Sequence, residues 1–540
     1  MTRPMRLLAT MTLVTTWLAG VGAAPPAALA AGSSRGPLWI QHAQRYPGSL
    51  SAGVAAYASL GRSARVPAPA ATAGPSTPAA GLDNVRANAP SGDPQNETAV
   101  AFNVFQPRRA VAASNDYQTG GLWIGHTSNG GQSWKSLFRG PRFPGGARCS
   151  GSDPSVVYSR RDRAFYVSTL CFAGNASQVD VWKSTDNGGS WTPAAKAAVP
   201  VTNIGSKGVN EHLFFDKELL AVDNAPASPH FGRLYVTYIR FHLLSPGGTS
   251  DTCPVNLAYS DRVPTNNPSR ASWHRTAIVG QQLGGNGTGA SANQWATPVV
   301  DAAGALNLAY VSESCNSGLD AGLFFKRSTN GGRTFGARVR IDKPGQFADN
   351  PDPDDVLPHK KARIGLSPSL TVNPVTGSLD YVFQNNVNAA TSDADISFVQ
   401  STDHGKTWGD ARMLSVDGVG DPAPGDQFFP WIAADKLGPE GTLQAIWFDN
   451  RNDPNDVLIE TFQATSTDDG QTWTFKDIST ASWNPNRSFF GTGNFIGDYN
   501  YNGLAASATV VYPVWTDGRN TPGPPDGDTD IFTNVEIPGP

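Results

Sequence analysis

The chain has 540 residues, 39% of them hydrophobic and only 16% charged, with a formal net charge of −4. That balance excludes a basic surface built for nucleic acid, which concentrates Lys and Arg. With 57 glycines, 42 prolines and 14 tryptophans, the composition is that of an all-β protein with many turns rather than a helical one.

The amino terminus reads Met1-Thr-Arg3-Pro-Met-Arg6, then an apolar run from Leu7 to Ala24, then Ala28-Leu29-Ala30. A basic head, an apolar stretch and small residues predict a secretory signal over residues 1–30, cut near Ala30 or, alternatively, after Ala23 or Ala24. Its removal takes away Arg3 and Arg6 and leaves the chain two charges more negative. No other run approaches the roughly 18 to 20 apolar residues of a membrane span, so a secreted monomer without a membrane span is expected. Residues 31–81 are rich in Ala, Pro, Ser and Gly, ending in Val66-Pro-Ala-Pro and Pro78-Ala-Ala-Gly81. They read as a linker, with the stretch from Trp39 to Leu60 as a small pro-segment or packed arm.

From Asn96 onward an octapeptide recurs at blade-sized intervals: Ser184-Thr-Asp186-Asn-Gly188-Gly-Ser-Trp191, with near-copies at Thr127 to Trp134, Ser328 to Phe335, Ser401 to Trp408 and Ser466 to Trp473. Asp186, Asp403 and Asp468, and Asn129 and Asn330 in their place, can fold a side-chain oxygen back onto backbone NH groups of a turn. The glycine supplies positive φ, and the final aromatic begins the next strand and packs between sheets. The pattern is a folding device and carries no chemistry of its own.

These copies resemble the Asp-box, or bacterial neuraminidase, repeats of sialidases and other secreted β-propellers. In those families the box lies between the third and fourth strands of a blade, on the face opposite the ligand pocket. The resemblance implies an all-β propeller over residues 82–540. Each repeat here shows four strands, as in Thr98 to Val104, Ala110 to Ser114, Leu122 to His126 and Trp134 to Leu137. The interval from Ser184 to Ser328 is about twice the one from Ser328 to Ser401, so a blade without a box fills it, through Leu219 to Val222, Arg233 to Ile239, Val255 to Ser260 and Trp273 to Val279. A last repeat, Leu504 to Ser507, Thr509 to Trp515 and Asp530 to Ile537, lacks its outer strand, which Leu82 to Asn88 can supply. Seven blades are counted, with six, the number in sialidases, as the alternative.

Four cysteines, Cys149, Cys171, Cys253 and Cys315, lack zinc spacing and suit an exported, disulfide-bonded chain. Three pairings are open. The blade assignment favours Cys149 with Cys171 inside one blade and Cys253 with Cys315 between loops of adjacent blades.

In a propeller, the starts of the inner strands and the ends of the second strands converge around the channel on one face. Polar residues gather there: Asn96, Glu97, Asp153, Asp216, Lys217, Gln294, Arg363, Asp426, Gln427, Asp498 and Tyr499 entering, and Asn115, Asp116, Arg240, Glu313 and Asn385 leaving. Two twin motifs, Trp447-Phe-Asp449-Asn-Arg451 and Trp515-Thr-Asp517-Gly-Arg519, put an Asp and an Arg on one side of a strand. They read either as a repeated lock between blades or as donor forks for a carboxylate or sugar hydroxyls. Sialidases grip the substrate carboxylate with three arginines, attack with a tyrosine activated by a glutamate, and use an aspartate as acid/base. The resemblance nominates, by position, Arg363, Arg451 and Arg519 as the clamp, Tyr499 with Glu313 as nucleophile and partner, and Asp153 as acid/base. The Phe/Tyr-Arg-Ile-Pro motif of those enzymes is absent; Ala362-Arg-Ile-Gly365 stands nearest to it.

No cofactor is required by this scheme. Asp349, Asp352, Asp354 and Asp355 pack four carboxylates into seven positions and could supply oxygens to calcium or form a solvated acidic loop. A glycan or glycoconjugate is the expected partner. Two functions are carried forward: an exo-sialidase-type glycoside hydrolase, and a non-catalytic propeller that binds glycan or protein.

Overall fold

The computed structural model describes residues 37–45, 50–51, 53–54, 84–89, 94–143, 147–174, 176–192, 195–198, 213–242, 253–263, 273–279, 282–283, 290–314, 320–343, 357, 359–360, 367–386, 393–487, 503–507, 510–519 and 529–534. Seven antiparallel sheets make up this part of the chain, six of four strands and one of five. Blade 1 is Gln95–Asn103, Gln106–Asp116, Gly121–Thr127 and Lys135–Arg139. Blade 2 is Ser150–Ser159, Ala164–Ala173, Ala176–Ser184 and Ala195–Ala198, and blade 3 is Leu213–Val222, Leu234–His242, Val255–Ser260 and His274–Val279. Blade 4 runs through Ala290–Val300, Leu306–Ser314, Asp320–Ser328 and Val339–Arg340, with Gln282–Leu283 added beside its inner strand. Blade 5 is Ser369–Val372, Leu379–Asn385, Asp395–Ser401 and Arg412–Met413, and blade 6 is Gln427–Asp435, Thr442–Asp449, Glu460–Ser466 and Thr474–Asp477.

Blade 7 is Gly503–Ser507, Val510–Asp517 and Asp530–Asn534, and its outer strand is Asn84–Arg86, drawn from the opposite end of the chain. The register sets Asn84 opposite Asn534 and Arg86 opposite Phe532. Arg86 is ion-paired with Asp530, and Asn88 bridges the same carboxylate at 2.9 Å and the Ile531 amide at 2.9 Å. Inner strands touch in the order of the chain, and that of blade 7 touches that of blade 1, so the sheets close a ring of seven blades. The count of seven therefore holds against six.

Apolar side chains pack between neighbouring blades. Val111 and Ile124 of blade 1 meet Val156, Phe165 and Trp182 of blade 2; Ile396 and Phe398 of blade 5 meet Leu443 and Trp447 of blade 6. The octapeptides supply the same contact at one rim. In each of the five copies the first hydroxyl receives the glycine NH, as in Gly188 N to Ser184 Oγ at 2.9 Å, and the third residue's oxygen receives the seventh residue's NH, as in Thr407 N to Asp403 Oδ1 at 2.9 Å. The glycine then lies flat on the preceding blade: a Cβ at Gly188 would sit 2.7 Å from Val111, and one at Gly470 2.7 Å from Phe398.

These carboxylates titrate in a direction opposite to those buried between strands. Hydrogen bonds from Thr407 and Thr472 hold Asp403 and Asp468 down to about 2. Burial pushes Asp380 up to about 7 despite donors from Gln400 at 2.7 Å and Ser378 at 3.0 Å. A raised carboxyl stabilises the fold fully below its unfolded pKa and loses that contribution as pH climbs through the folded value. The Tm should therefore fall as pH rises from about 4 to about 7. Asp380→Asn should flatten that fall, which a thermal-melt series across pH checks; an unchanged slope would refute the assignment.

The four cysteines are resolved in part. Cys149 and Cys171 form a disulfide inside blade 2, as the preferred pairing has it. Cys253 is also disulfide-bonded, and Cys315 lies outside the described residues. Among the described residues no helix is long and apolar enough to cross a membrane. Residues 1–30 lie outside the described set, as does most of 31–81. The exception is an arm: the helix Leu38–Arg45 and residues 50–51 and 53–54 bury Trp39, Leu50 and Val54 in the same cluster as blades 2 and 3.

Candidate site at the channel mouth

Five inner strands carry the same irregularity. Their pairing with the second strand slips after Asn96, Ser152, Asp216, Gln294 and Phe428. At each slip one non-glycine residue takes positive φ: Glu97, Asp153, Lys217, Trp295 and Phe429, with φ between 50° and 58°. Ser367, just ahead of blade 5's inner strand, is left-handed as well, with φ 37°. A left-handed residue costs about 1–2 kcal/mol, and a bulge re-aims its side chain. Repeating that cost around one layer of a ring marks the layer as a place where strain serves a site.

The consequence is convergence. Lys217 Nζ lies 3.9 Å from Asp153 Oδ2 of the preceding blade and 4.4 Å from the ring centroid of Trp295 in the following one. Asn115, at the end of blade 1's second strand, donates to Glu97 Oε2 at 2.8 Å and accepts the Asp153 amide at 2.8 Å. Ser152 Oγ donates to Asp153 Oδ1. Glu97, Asp153, Asp216, Lys217 and Glu218 are each no more than 2% exposed. Deeper along the axis the wall turns apolar: a cavity of about 180 Å³ is lined by Ala99, Val156, Leu220, Pro298, Leu370 and Trp431, among others. The bulged, polar layer thus lies at the opposite end of the blades from the octapeptides.

The charges there are unbalanced. Burial, then Asp153, then Asp216 push the Glu218 carboxyl well above its usual range, against the pull of its own backbone NH and of Lys217. Burial and Asp153 likewise raise Asp216, against the pull of Lys217. Burial and mutual repulsion thus favour the neutral, proton-donating form of these two carboxyls, near an aspartate that faces an ammonium.

The arm reaches this mouth. The Ser51 amide donates to Asp216 Oδ2 at 2.6 Å. A Cβ at Gly53 would lie 1.9 Å from Ser152 Oγ and 3.0 Å from Asp153 Oδ1. Trp39 stacks on Phe214 with centroids 5.1 Å apart and donates Nε1 to Gly174 O at 2.7 Å.

Of the residues that sequence reasoning nominated, Asp153 is at the centre of the mouth. Arg363 and Tyr499 lie outside the described residues, as do the side chain of Glu313 and the acidic run Asp349, Asp352, Asp354 and Asp355. Arg451 and Arg519 do not converge with Asp153. Each folds back in an Asx turn onto its own aspartate: Arg451 Nη2 is 2.6 Å from Asp449 Oδ2, and Arg519 Nη2 is 2.6 Å from Asp517 Oδ2. Trp447 and Trp515 donate to the same carboxylates, and Phe462 and Phe532 lie under the guanidinium groups at 4.5 Å. The remaining donors reach Val416 O and Thr480 Oγ1 in the connections from the preceding blades. These are locks. Asp426 forms a further one, with the wholly buried Lys360 at 2.5 Å, and Lys360 also meets Asp456 at 2.7 Å. Among the described residues no group of three or more His, Cys, Asp or Glu is arranged to hold a metal.

Sequence reasoning missed Glu218 and Trp295; it offered Trp39 to Leu60 as a pro-segment or packed arm but did not place that arm at the mouth. A signal for the bulges was present: Pro154, Pro368 and Pro430 each follow the left-handed residue directly, and proline inside a strand marks an edge or a bulge.

The chain matches no protein-family model and no curated protein. Solved structures similar to it include a Hadza microbial sialidase, Hz136, with TM-score 0.44 and 12% identity over 77% of this chain and 76% of that one. A Penicillium chrysogenum α-L-arabinanase complexed with arabinobiose gives TM-score 0.42 and 12% identity over 71% and 94%. A Trypanosoma rangeli sialidase in complex with the inhibitor DANA gives 0.41 and 12% over 74% and 57%.

Proposed function

We propose that the protein is a secreted, glycan-acting propeller, a glycoside hydrolase that works with carboxyl groups at the channel mouth. The observation that carries the reading is Glu218, a fully buried carboxyl that burial and the charge of Asp153 push well above its usual range. Glycoside cleavage needs one carboxylic acid to protonate the leaving oxygen and a second carboxylate to attack the sugar or activate water. Glu218 suits the first role. Asp153, opposite the Lys217 ammonium, suits the second, and the disulfide fits export. Sialosides are the first substrates to try, given the octapeptides. Since Arg451 and Arg519 serve their own aspartates, Lys217, beside Asp153, is the cation among the described residues that would meet a substrate carboxylate at the mouth.

The test is release of a fluorescent aglycone from a panel of sialosides and neutral glycosides. Glu218→Gln and Asp153→Asn should each lower kcat by about 100-fold or more. No product from any member of the panel, with either the wild type or a chain whose arm is loosened by Trp39→Ala, would overturn the hydrolase reading. The complete burial of Asp153, Asp216 and Glu218 favours a second reading, a propeller that binds glycan or protein without turnover. Saturable glycan binding without product, indifferent to Glu218→Gln, would establish it.

A further inference from the structure

We propose that the amino-terminal arm is an inhibitory plug, a segment of this chain that occupies the place of a sugar at the channel mouth and must leave before substrate enters. The proposal rests on the reading of that mouth as the reaction centre. Two parts of the arm have separate jobs. Ser51 and Gly53 mark the plug. The Ser51 amide gives Asp216 Oδ2 the hydrogen bond that a sugar hydroxyl would give, at 2.6 Å. Gly53 lies so close that an added methyl group would run into the side chains of Ser152 and Asn115, at 1.9 and 2.9 Å, and press on Asp153 at 3.0 Å. A bare backbone fits here without displacing those side chains.

The helix Leu38–Arg45 is the anchor, and it grips outside the mouth. Trp39 stacks on Phe214 and meets Phe172 edge-on at 5.6 Å, while His42 meets Phe241 at 5.6 Å. An anchor on blades 2 and 3 raises the local concentration of the plug, and the mouth is open only in the fraction of molecules whose arm is off. Apparent substrate affinity is lowered by that fraction. The sequence from Val66 to Gly81, all Ala, Pro, Thr, Ser, Gly and Val, joins arm to propeller and has the composition of a tether.

Full-length Trp39→Ala, which frees the anchor, and Gly53→Leu, which expels the plug, are the variants. Two measurements separate the plug from the hydrolase reading. In the first, a water-soluble carbodiimide with an amine nucleophile labels accessible carboxyls, read by mass spectrometry. Wild type should leave Asp216 and Glu218 unlabelled, and both variants should label them at least about tenfold faster. Asp380, buried between strands in blade 5, should stay unlabelled throughout and so reports an intact fold. In the second, initial rates on the glycoside panel should show KM falling with kcat unchanged, since a competing segment alters access and not chemistry. A synthetic peptide of residues 37–54 should restore the wild-type KM.

Unchanged labelling of Asp216 and Glu218 in both variants would overturn the plug, whatever the turnover. So would faster labelling with the wild-type KM. Faster labelling with no turnover by any chain would support the plug as a cover and tell against the hydrolase reading alone.

Discussion

Arg451→Ala is expected to cost about 3–5 kcal/mol of stability, because it leaves a buried aspartate without its cation. The Asp449 side chain is wholly buried and holds two of the three Arg451 nitrogens, with Trp447 Nε1 at 2.9 Å on the same oxygen. The loss would also remove the stack on Phe462 and the hydrogen bond to Val416 O that ties blade 6 to the connection before it. Lysine should rescue poorly, since a point charge reproduces neither the fork nor the stack. Chemical denaturation of the wild type, Arg451→Ala and Arg451→Lys measures the effect. A substrate clamp would behave otherwise: stability would hold, KM would rise, and the melt of Arg451→Ala would match the wild type.

The second large effect is at an octapeptide glycine. Gly405 has φ 80°, and a Cβ there would lie 2.0 Å from Phe325 Cε1 in blade 4. Alanine at this position meets two costs, about 1–2 kcal/mol for the left-handed conformation and about 1–3 kcal/mol for forcing Phe325 aside. Gly377 is the control, because it has φ 78° and nothing within 4 Å of the added atom. Gly377→Ala should show the conformational cost alone. Equal losses at the two sites would mean that the octapeptide turn does not dock on the preceding blade.

The same octapeptides explain why so much of the ring was legible. Their hydrogen bonds close within eight residues, so the pattern survives wherever the turn does, and their spacing exposed blade 3, which has lost its copy. The strap from Asn84 to Arg86 was legible because the last repeat came up one strand short. Inner-strand starts were placed too late, at Thr98 and Leu219 instead of Gln95 and Leu213. The bulges are the reason: two residues oppose one, the alternation breaks, and the polar residues before the break look like loop.

The site was legible by type and not by partner. Asp153 and Lys217 were placed at the mouth, but their meeting depends on left-handed residues in successive blades, which no local pattern specifies. Arg451 and Asp449 were seen to share a side, yet the choice between lock and clamp was set by Phe462 and Val416, which come from other elements. Trp39 sat in an Ala- and Pro-rich stretch that has no core of its own; its core belongs to blades 2 and 3.

The central claim is that glycan is received where Asp153, Asp216 and Glu218 meet. Its most direct test is a crystal structure of the Glu218→Gln chain, carrying Trp39→Ala to open the arm, soaked with an oligosaccharide chosen from the panel. The account predicts sugar density against Asp153 and Lys217, with the Ser51 amide displaced from Asp216. Sugar bound at the octapeptide rim, or at the mouth with Ser51 still in place on Asp216, would contradict it.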